Sequence, residues 1–330
     1  MNVRWPIRFC GTGTYVPREV ITNRHFESYL DTSDEWIVTR TGIRERRRAA
    51  PDECTSTMGA LAAKSAIENA GLTVGDIDLI ICATATGDHP FPATAAFIQA
   101  AIGAKDIPAF DIGAACAGFM YATMSAAAYL ASGLYRHVLV IGAETLTRYA
   151  DQEDRTTAVL FGDAAGAAVV GPALRPDQGV LYGEMGCDGT RADHILVPAG
   201  GSRLVASATT VAERYHYLKM KGREVYKFAV LKMEELIDRA LQVTGVAPSE
   251  LRMLIPHQSN LRIIESVRER LGLPPEKIAV NIDRFGNTSS ASIVMSLDES
   301  RRRGWLKDGD VILLIAIGAG LAWSTMVIRL

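Results

Sequence analysis

Along the chain, short apolar runs rich in β-branched residues alternate with longer stretches of helical periodicity. The apolar runs predict strands at Asp78–Ala83, Ala109–Ile112, His137–Ile141, Ala165–Val170, Arg252–Ile255, Ile278–Ile282 and Val311–Ile317. Several are continuously apolar rather than alternating, the pattern of strands covered on both faces. Helical spacing predicts helices over Thr55–Ala70, Ala117–Ala131, Glu224–Thr244, Leu261–Leu271 and Ser289–Arg303. Strand and helix in alternation indicate α/β layers built on parallel strands.

The pattern recurs within the chain. AGLTVGDIDLIICAT from Ala70 aligns without gaps with TGVAPSELRMLIPHQ from Thr244, each a helix end, a glycine, a loop and a strand. IGAKDIPAFDIGAACAGF aligns loosely with LGLPPEKIAVNIDRFGNTS, and HVLVIGAE parallels DVILLIAIGAG. Two copies of one α/β unit are expected, roughly 1–175 and 176–330. The alignments put His257 in the loop after its strand, and Cys116 and Asn287 in matching turns at helix starts. Sites in open α/β sheets form beyond the carboxyl ends of strands. The repeat therefore places these three residues on the same side of two related halves.

Composition narrows the class. The 330 residues are 48% hydrophobic and 22% charged, ordinary values for a globular protein long enough to bury a core without staples. A net charge of −2 argues against a general nucleic-acid or membrane surface, so any anionic partner has to meet a local basic patch. The five cysteines, Cys10, Cys54, Cys82, Cys116 and Cys187, are odd in number and lack CxxC or zinc-like spacing. They read as reduced thiols of a cytoplasmic enzyme. The opening MNVRWPIRFCGTG has no signal-peptide apolar segment, and no stretch reaches the ~20 apolar residues of a membrane span. With no HxxxH or HxH pair, no metal site is expected.

Cys116 lies in DIGAACAGF, between a predicted strand and an Ala/Met-rich helix, with small residues on both sides. A thiol presented at a helix N-terminus is expected to have a lowered pKa, and the free N–H groups there can hold an oxyanion. Taken alone, the same residue reads equally as a buried packing cysteine. His257 in RMLIPHQSN follows a strand end. Asn287 in RFGNTSSAS follows a glycine, and the Thr-Ser-Ser run is expected to cap the next helix. Each of these also has a plain loop reading. GTGTYV lacks the third glycine of a dinucleotide fingerprint and FGDAAGAA does not open a helix after a strand, so neither is a Rossmann nucleotide site.

Taken together, DTSDEWIVTRTGIRER, FDIGAACAGF, FGDAAGAA, MKGREVYKFAV, IPHQSNLRII, FGNTSSAS and GAGLAW, in this order and nearly end to end, resemble the β-ketoacyl-acyl-carrier-protein synthase III family of thiolase-fold condensing enzymes. The resemblance implies a duplicated α/β fold in five layers, αβαβα. It makes Cys116, His257 and Asn287 a catalytic triad, with backbone N–H groups of Cys116 and Ala319 as the oxyanion hole. It implies Thr32, Trp36, Arg40 and Arg155 for CoA, the adenine stacking between Trp36 and Arg155. It implies Phe161, Ile195 and Phe91 for the acyl pocket, Phe91 reaching the neighbour's pocket in a homodimer. Lys227, Arg262 and Arg223 would receive an acidic acyl carrier protein. Where family members often end in Gly-Gly-Gly-Phe, this chain has GAGLAW, with Ala319 in the middle.

The implied reaction is decarboxylative condensation. Cys116 takes the acyl group from acyl-CoA, His257 and Asn287 stabilise the enolate formed from malonyl-carrier protein, and fatty-acid synthesis is initiated with no cofactor. The triad leaves two alternatives: a starter synthase or acyltransferase of secondary metabolism with a different acceptor, and a non-catalytic acyl-CoA-binding module. A degradative thiolase is disfavoured, because no cysteine follows Cys187 to act as a second base.

Overall fold

The computed structural model describes residues 5–330; the first four, part of the opening read for a signal peptide, lie outside it. Strands β1 (Ile7–Tyr15), β2 (Leu79–Ala83), β3 (Ala109–Ile112), β4 (Val138–Glu144) and β5 (Ala164–Pro172) form one sheet, in the order β1-β5-β4-β2-β3. A second sheet contains β6 (Gly179–Cys187), β7 (Leu251–Pro256), β8 (Val311–Gly318) and β9 (Ala322–Arg329), in the order β7-β8-β9-β6. Read inward from β1 and from β6, both sheets run antiparallel, antiparallel, parallel. In the first sheet β3 adds a fifth, parallel strand beside β2. The corresponding place in the second holds only a parallel bridge between Leu254 and Ile278.

Six helices complete the layers: α1 (Thr55–Asn69), α2 (Thr94–Ile102), α3 (Gly118–Ala131), α4 (Gly222–Thr244), α5 (Leu261–Arg270) and α6 (Ala291–Arg302). Helices α1 and α2 pack outside the first sheet, and α4 outside the second with α5 against it; α3 and α6 lie between the sheets and touch both. The result is the duplicated five-layer αβαβα thiolase arrangement. The continuous apolar runs are explained by it: β4 and β8 are buried at every position, being covered on both faces. The central helices can lie between two sheets because their inward positions are small, as with Ala122, Ala126 and Ala127 of α3. Gly142 of β4 permits a close approach, since a Cβ there would sit 2.4 Å from the Ser290 carbonyl before α6.

The structure corrects two expectations. The Ile278–Ile282 run makes one bridge and then turns into a short helix, Ile282–Phe285. The Thr-Ser-Ser run does not cap α6 through its side chains: Ser290 is the N-cap residue but makes no capping hydrogen bond. Its hydroxyl lies 2.9 Å from the Ala83 carbonyl and 2.8 Å from Glu144 Oε1. Ser289 and Ser290 face the first sheet, which outcompetes the helix for their hydroxyls. Among the described residues no helix is long and apolar enough to cross a membrane.

Candidate active site

The carboxyl ends of β2, β4, β7 and β8 and the turn after β3 surround a cavity of about 370 Å³ lined mainly by apolar side chains. Cys116, His257, Asn287, Gly318 and Ala319 all open onto it.

Cys116 sits in a 3₁₀ turn, Ala115–Ala117, that leads directly into α3. Ala115 is held at φ +44, which aims the turn at the second sheet. That approach needs a glycine opposite: a Cβ on Gly318 would lie 2.8 Å from both the Ala114 carbonyl and the Cys116 amide nitrogen. The two backbones implied for an oxyanion hole, at Cys116 and Ala319, are thereby brought side by side. The expected lowering of the Cys116 pKa is overturned. Burial pushes the thiol up to about 12, the Glu144 carboxylate adds to the rise, and a hydrogen bond with Ser289 only partly offsets it. The helix end does not compensate for loss of water around the sulfur. Cys82, read as a core residue, is fully buried in β2, and burial pushes its thiol well up too.

His257 follows β7 and is 1% exposed. Its backbone N–H donates to the Ile315 carbonyl of β8 at 2.8 Å, continuing the parallel ladder past Pro256. Burial lowers its pKa to about 3, so the imidazole is neutral. Ser292 Oγ lies 2.6 Å from Nδ1 and accepts the Gln258 backbone N–H at 3.4 Å. A serine proton given to Nδ1 would put the imidazole proton on Nε2, the tautomer that a donor role for His257 requires. Ser292 escaped the sequence reading, because a serine inside a helix gives no local signal of what it faces.

Asn287 is stitched to the first half of the chain. Its N–H donates to the Leu160 carbonyl at 2.9 Å and its carbonyl accepts from Gly162 at 3.1 Å. Gly286 precedes it at φ +65, ψ −159, a backbone region open essentially to glycine. The side-chain Oδ1 accepts the Ser289 N–H at 2.9 Å, which turns Nδ2, the donor, away from that turn. The cavity thus receives a neutral imidazole, a carboxamide and a thiol.

Of the residues implied for the acyl pocket, Phe161 and Ile195 line the cavity. Phe91 does not; it is 85% exposed. Trp36, Arg40 and Arg155 form a separate cluster, with the guanidinium carbons 5.7 Å (Arg40) and 5.0 Å (Arg155) from the indole centroid. Arg155 already rests on Trp36 and is held by the Asp31 carbonyl and carboxylate, so a purine between them needs the arginine to swing away. The Thr32 hydroxyl is buried and unpartnered, a donor free for a ligand. Asn260 connects this cluster to the cavity: it lines the wall and its amide donates to the Arg40 carbonyl at 3.0 Å. Arg223, Lys227 and Arg262 are exposed beside the same opening, Arg262 lying 5.8 Å from the ring of Tyr226, a cavity wall residue. Among the described residues no group of His, Cys, Asp and Glu is arranged to hold a metal.

Two family models match the chain: 3-oxoacyl-[acyl-carrier-protein] synthase III over residues 110–189 and its C-terminal domain over 241–330. The chain is 50% identical over 329 residues to the β-ketoacyl-[acyl-carrier-protein] synthase III of Symbiobacterium thermophilum, covering 100% of this chain and 99% of that protein. The crystal structure of 3-oxoacyl-[acyl-carrier-protein] synthase III from Aquifex aeolicus superposes with a TM-score of 0.90 at 44% identity, covering 98% of this chain and 100% of that one. The priming β-ketosynthase of the R1128 polyketide pathway superposes with a TM-score of 0.90 at 37% identity, covering 100% and 98%. A cysteine turn from one half, a histidine and an asparagine from the other, and identity at this level across the whole length place the chain in the β-ketoacyl-[acyl-carrier-protein] synthase III family of condensing acyltransferases.

Proposed function

We propose that this chain condenses an acyl-CoA primer with malonyl-acyl carrier protein through an acyl-Cys116 intermediate, initiating fatty-acid synthesis. The observation that carries the reading is the convergence of Cys116, the His257 imidazole, the Asn287 carboxamide and the Gly318–Ala319 backbone on one apolar cavity. Labour is divided between residues 1–175, which supply the nucleophile, and 176–330, which supply the donors.

In the first half-reaction the sulfur of Cys116 attacks the thioester carbonyl, and the tetrahedral oxyanion is received by the N–H groups of Cys116 and Ala319. The thiol proton leaves with the departing CoA sulfur. In the second, His257 and Asn287 donate to the malonyl thioester carbonyl and stabilise the enolate left by CO2. The enolate carbon then attacks the acyl-Cys116 carbonyl and the sulfur is released. Neutral donors suit this step, because neither adds charge to a low-dielectric site before the oxyanion develops. The chemistry runs on side chains and backbone amides alone.

Trp36, Arg155, Arg40 and Thr32 are assigned to CoA, and Arg223, Lys227 and Arg262 to the acidic carrier protein. Phe91 is assigned to an interface with a second copy of the chain in the cytoplasm, an assignment that its exposure supports. The likeness to the polyketide priming synthase supports a second reading, with a malonyl donor or pathway other than that of primary fatty-acid synthesis. Mass spectrometry of the intact protein after exposure to a panel of acyl-CoAs, followed by malonyl-carrier protein or malonyl-CoA, tests both. The proposal expects acyl mass on Cys116, discharged by malonyl-carrier protein. Discharge by malonyl-CoA alone favours the second reading, and no acylation by any acyl-CoA defeats both.

A further inference from the structure

Glu144, the last residue of β4, is fully buried beside the cavity and belongs to none of the roles above. An isolated carboxylate in such a place is costly unless each oxygen is hydrogen-bonded. Here the donors come from both halves of the chain. Thr86 Oγ1 (2.7 Å) and the Ala85 N–H (3.1 Å) reach Oε2 from the first half. Ser289 Oγ (3.0 Å) and Ser290 Oγ (2.8 Å) reach Oε1 from the turn that carries Asn287. Thr84 Oγ1 adds a longer contact to Oε2 at 3.4 Å, Ser290 shares its one hydroxyl proton with the Ala83 carbonyl at 2.9 Å, and every donor is neutral. Ser289 is held at φ +47, a region disfavoured for a non-glycine residue, so that turn needs outside support. Its N–H is the group that holds Asn287 Oδ1 at 2.9 Å.

We infer that Glu144 is a positioning residue: its carboxylate clamps Ser289 and Ser290 to the first half and so fixes the direction in which Asn287 presents its amide donor to the malonyl thioester. The clamp crosses the two copies of the fold, and its failure would loosen the donor side of the site while leaving the Cys116 turn in place. Burial raises the Glu144 pKa against the pull of these hydrogen bonds, and in its ionised form the carboxylate also faces the sulfur. Cys116 and Cys82 are the titratable groups that feel Glu144, and both are held in the thiol form partly by it. The inference rests on the role proposed for Asn287.

The test separates the half-reactions in Glu144→Gln, Ser290→Ala and Asn287→Ala. Glu144→Gln is expected to slow release of CO2 from malonyl-carrier protein at least tenfold while acyl loading of Cys116 changes by less than about threefold. The pH profile for alkylation of Cys116 by iodoacetamide is expected to move to lower pH. Ser290→Ala, which keeps the charge, is expected to slow decarboxylation without moving that profile, and it serves alone if the glutamine variant does not fold. Equal loss of both half-reactions in a folded Glu144→Gln or Ser290→Ala protein, or undiminished decarboxylation, overturns the clamp. If Asn287→Ala decarboxylates normally, the role of Asn287 fails instead, which keeps the two failures distinct.

Discussion

The buried cavity and the basic, aromatic rim around its opening are made of different physics. In the cavity, Asn287 is held by backbone pairing to residues 160–162, His257 by a ladder bond to β8 and by Ser292, and the Cys116 turn by the missing side chain of Gly318. Each group has its direction set before any ligand arrives. At the rim, Arg155 rests on Trp36 and on Asp31, and Arg223, Lys227 and Arg262 stand in solvent. Groups that stabilise developing charge gain from being fixed in advance, because reorganisation during the reaction is then avoided. Groups that capture a large, flexible ligand act through charge and stacking, each worth little and screened by salt.

That contrast can be broken from the inside outward. Cys116→Ala should abolish acyl loading, read as the intact mass after incubation with acyl-CoA; retained loading would move the nucleophile elsewhere. Asn287→Ala should lower the decarboxylation rate about 100-fold, the scale for one well-placed oxyanion donor, with loading nearly intact in a single-turnover assay. Trp36→Ala should raise the KM for acyl-CoA about tenfold with little change in kcat, as lost stacking is worth on the order of 1 kcal/mol. A fall in kcat as large as that in kcat/KM would instead tie Trp36 to the chemistry. Arg262→Ala should raise the KM for the carrier protein only a few-fold, and less at 0.5 M salt than at 0.05 M; a salt-independent effect would place it outside an electrostatic contact.

The cavity's burial also has a consequence for stability. An unfolded chain protonates a histidine near 6.5, whereas His257 resists protonation until about 3. Between these values the unfolded state binds more protons, so stability is lost as pH falls through that window and is fully present above it. The single residue accounts for on the order of 4–5 kcal/mol across the window. Urea midpoints for the wild type and His257→Asn should therefore converge from pH 7 toward pH 4; parallel curves would refute a buried neutral imidazole.

Much of this was legible without coordinates. Continuous apolar runs gave the two-faced strands, because burial on both sides leaves no polar position. The internal repeat gave the shared side of the three site residues, because duplicated units place equivalent turns at equivalent strand ends. Other elements were not legible. The Ile278–Ile282 run has strand composition, yet it makes one bridge and folds into a short turn of helix, since pairing depends on a partner and not on the segment alone. Strands β1, β6 and β9, with their glycines and polar positions, escaped for the converse reason.

Within the site, sequence settled which residue types meet and left their ionisation to the fold. A helix start suggests a lowered thiol pKa, but burial between the two sheets, with Glu144 of the first sheet adding to it, raises it to about 12. The same holds for the hydroxyls of Ser289 and Ser290, which local pattern offers to a helix cap and the tertiary structure gives to Glu144. Motif and periodicity are properties of neighbours along the chain. Desolvation and long-range hydrogen bonding depend on what packs across the space between two sheets, and only the folded protein specifies that.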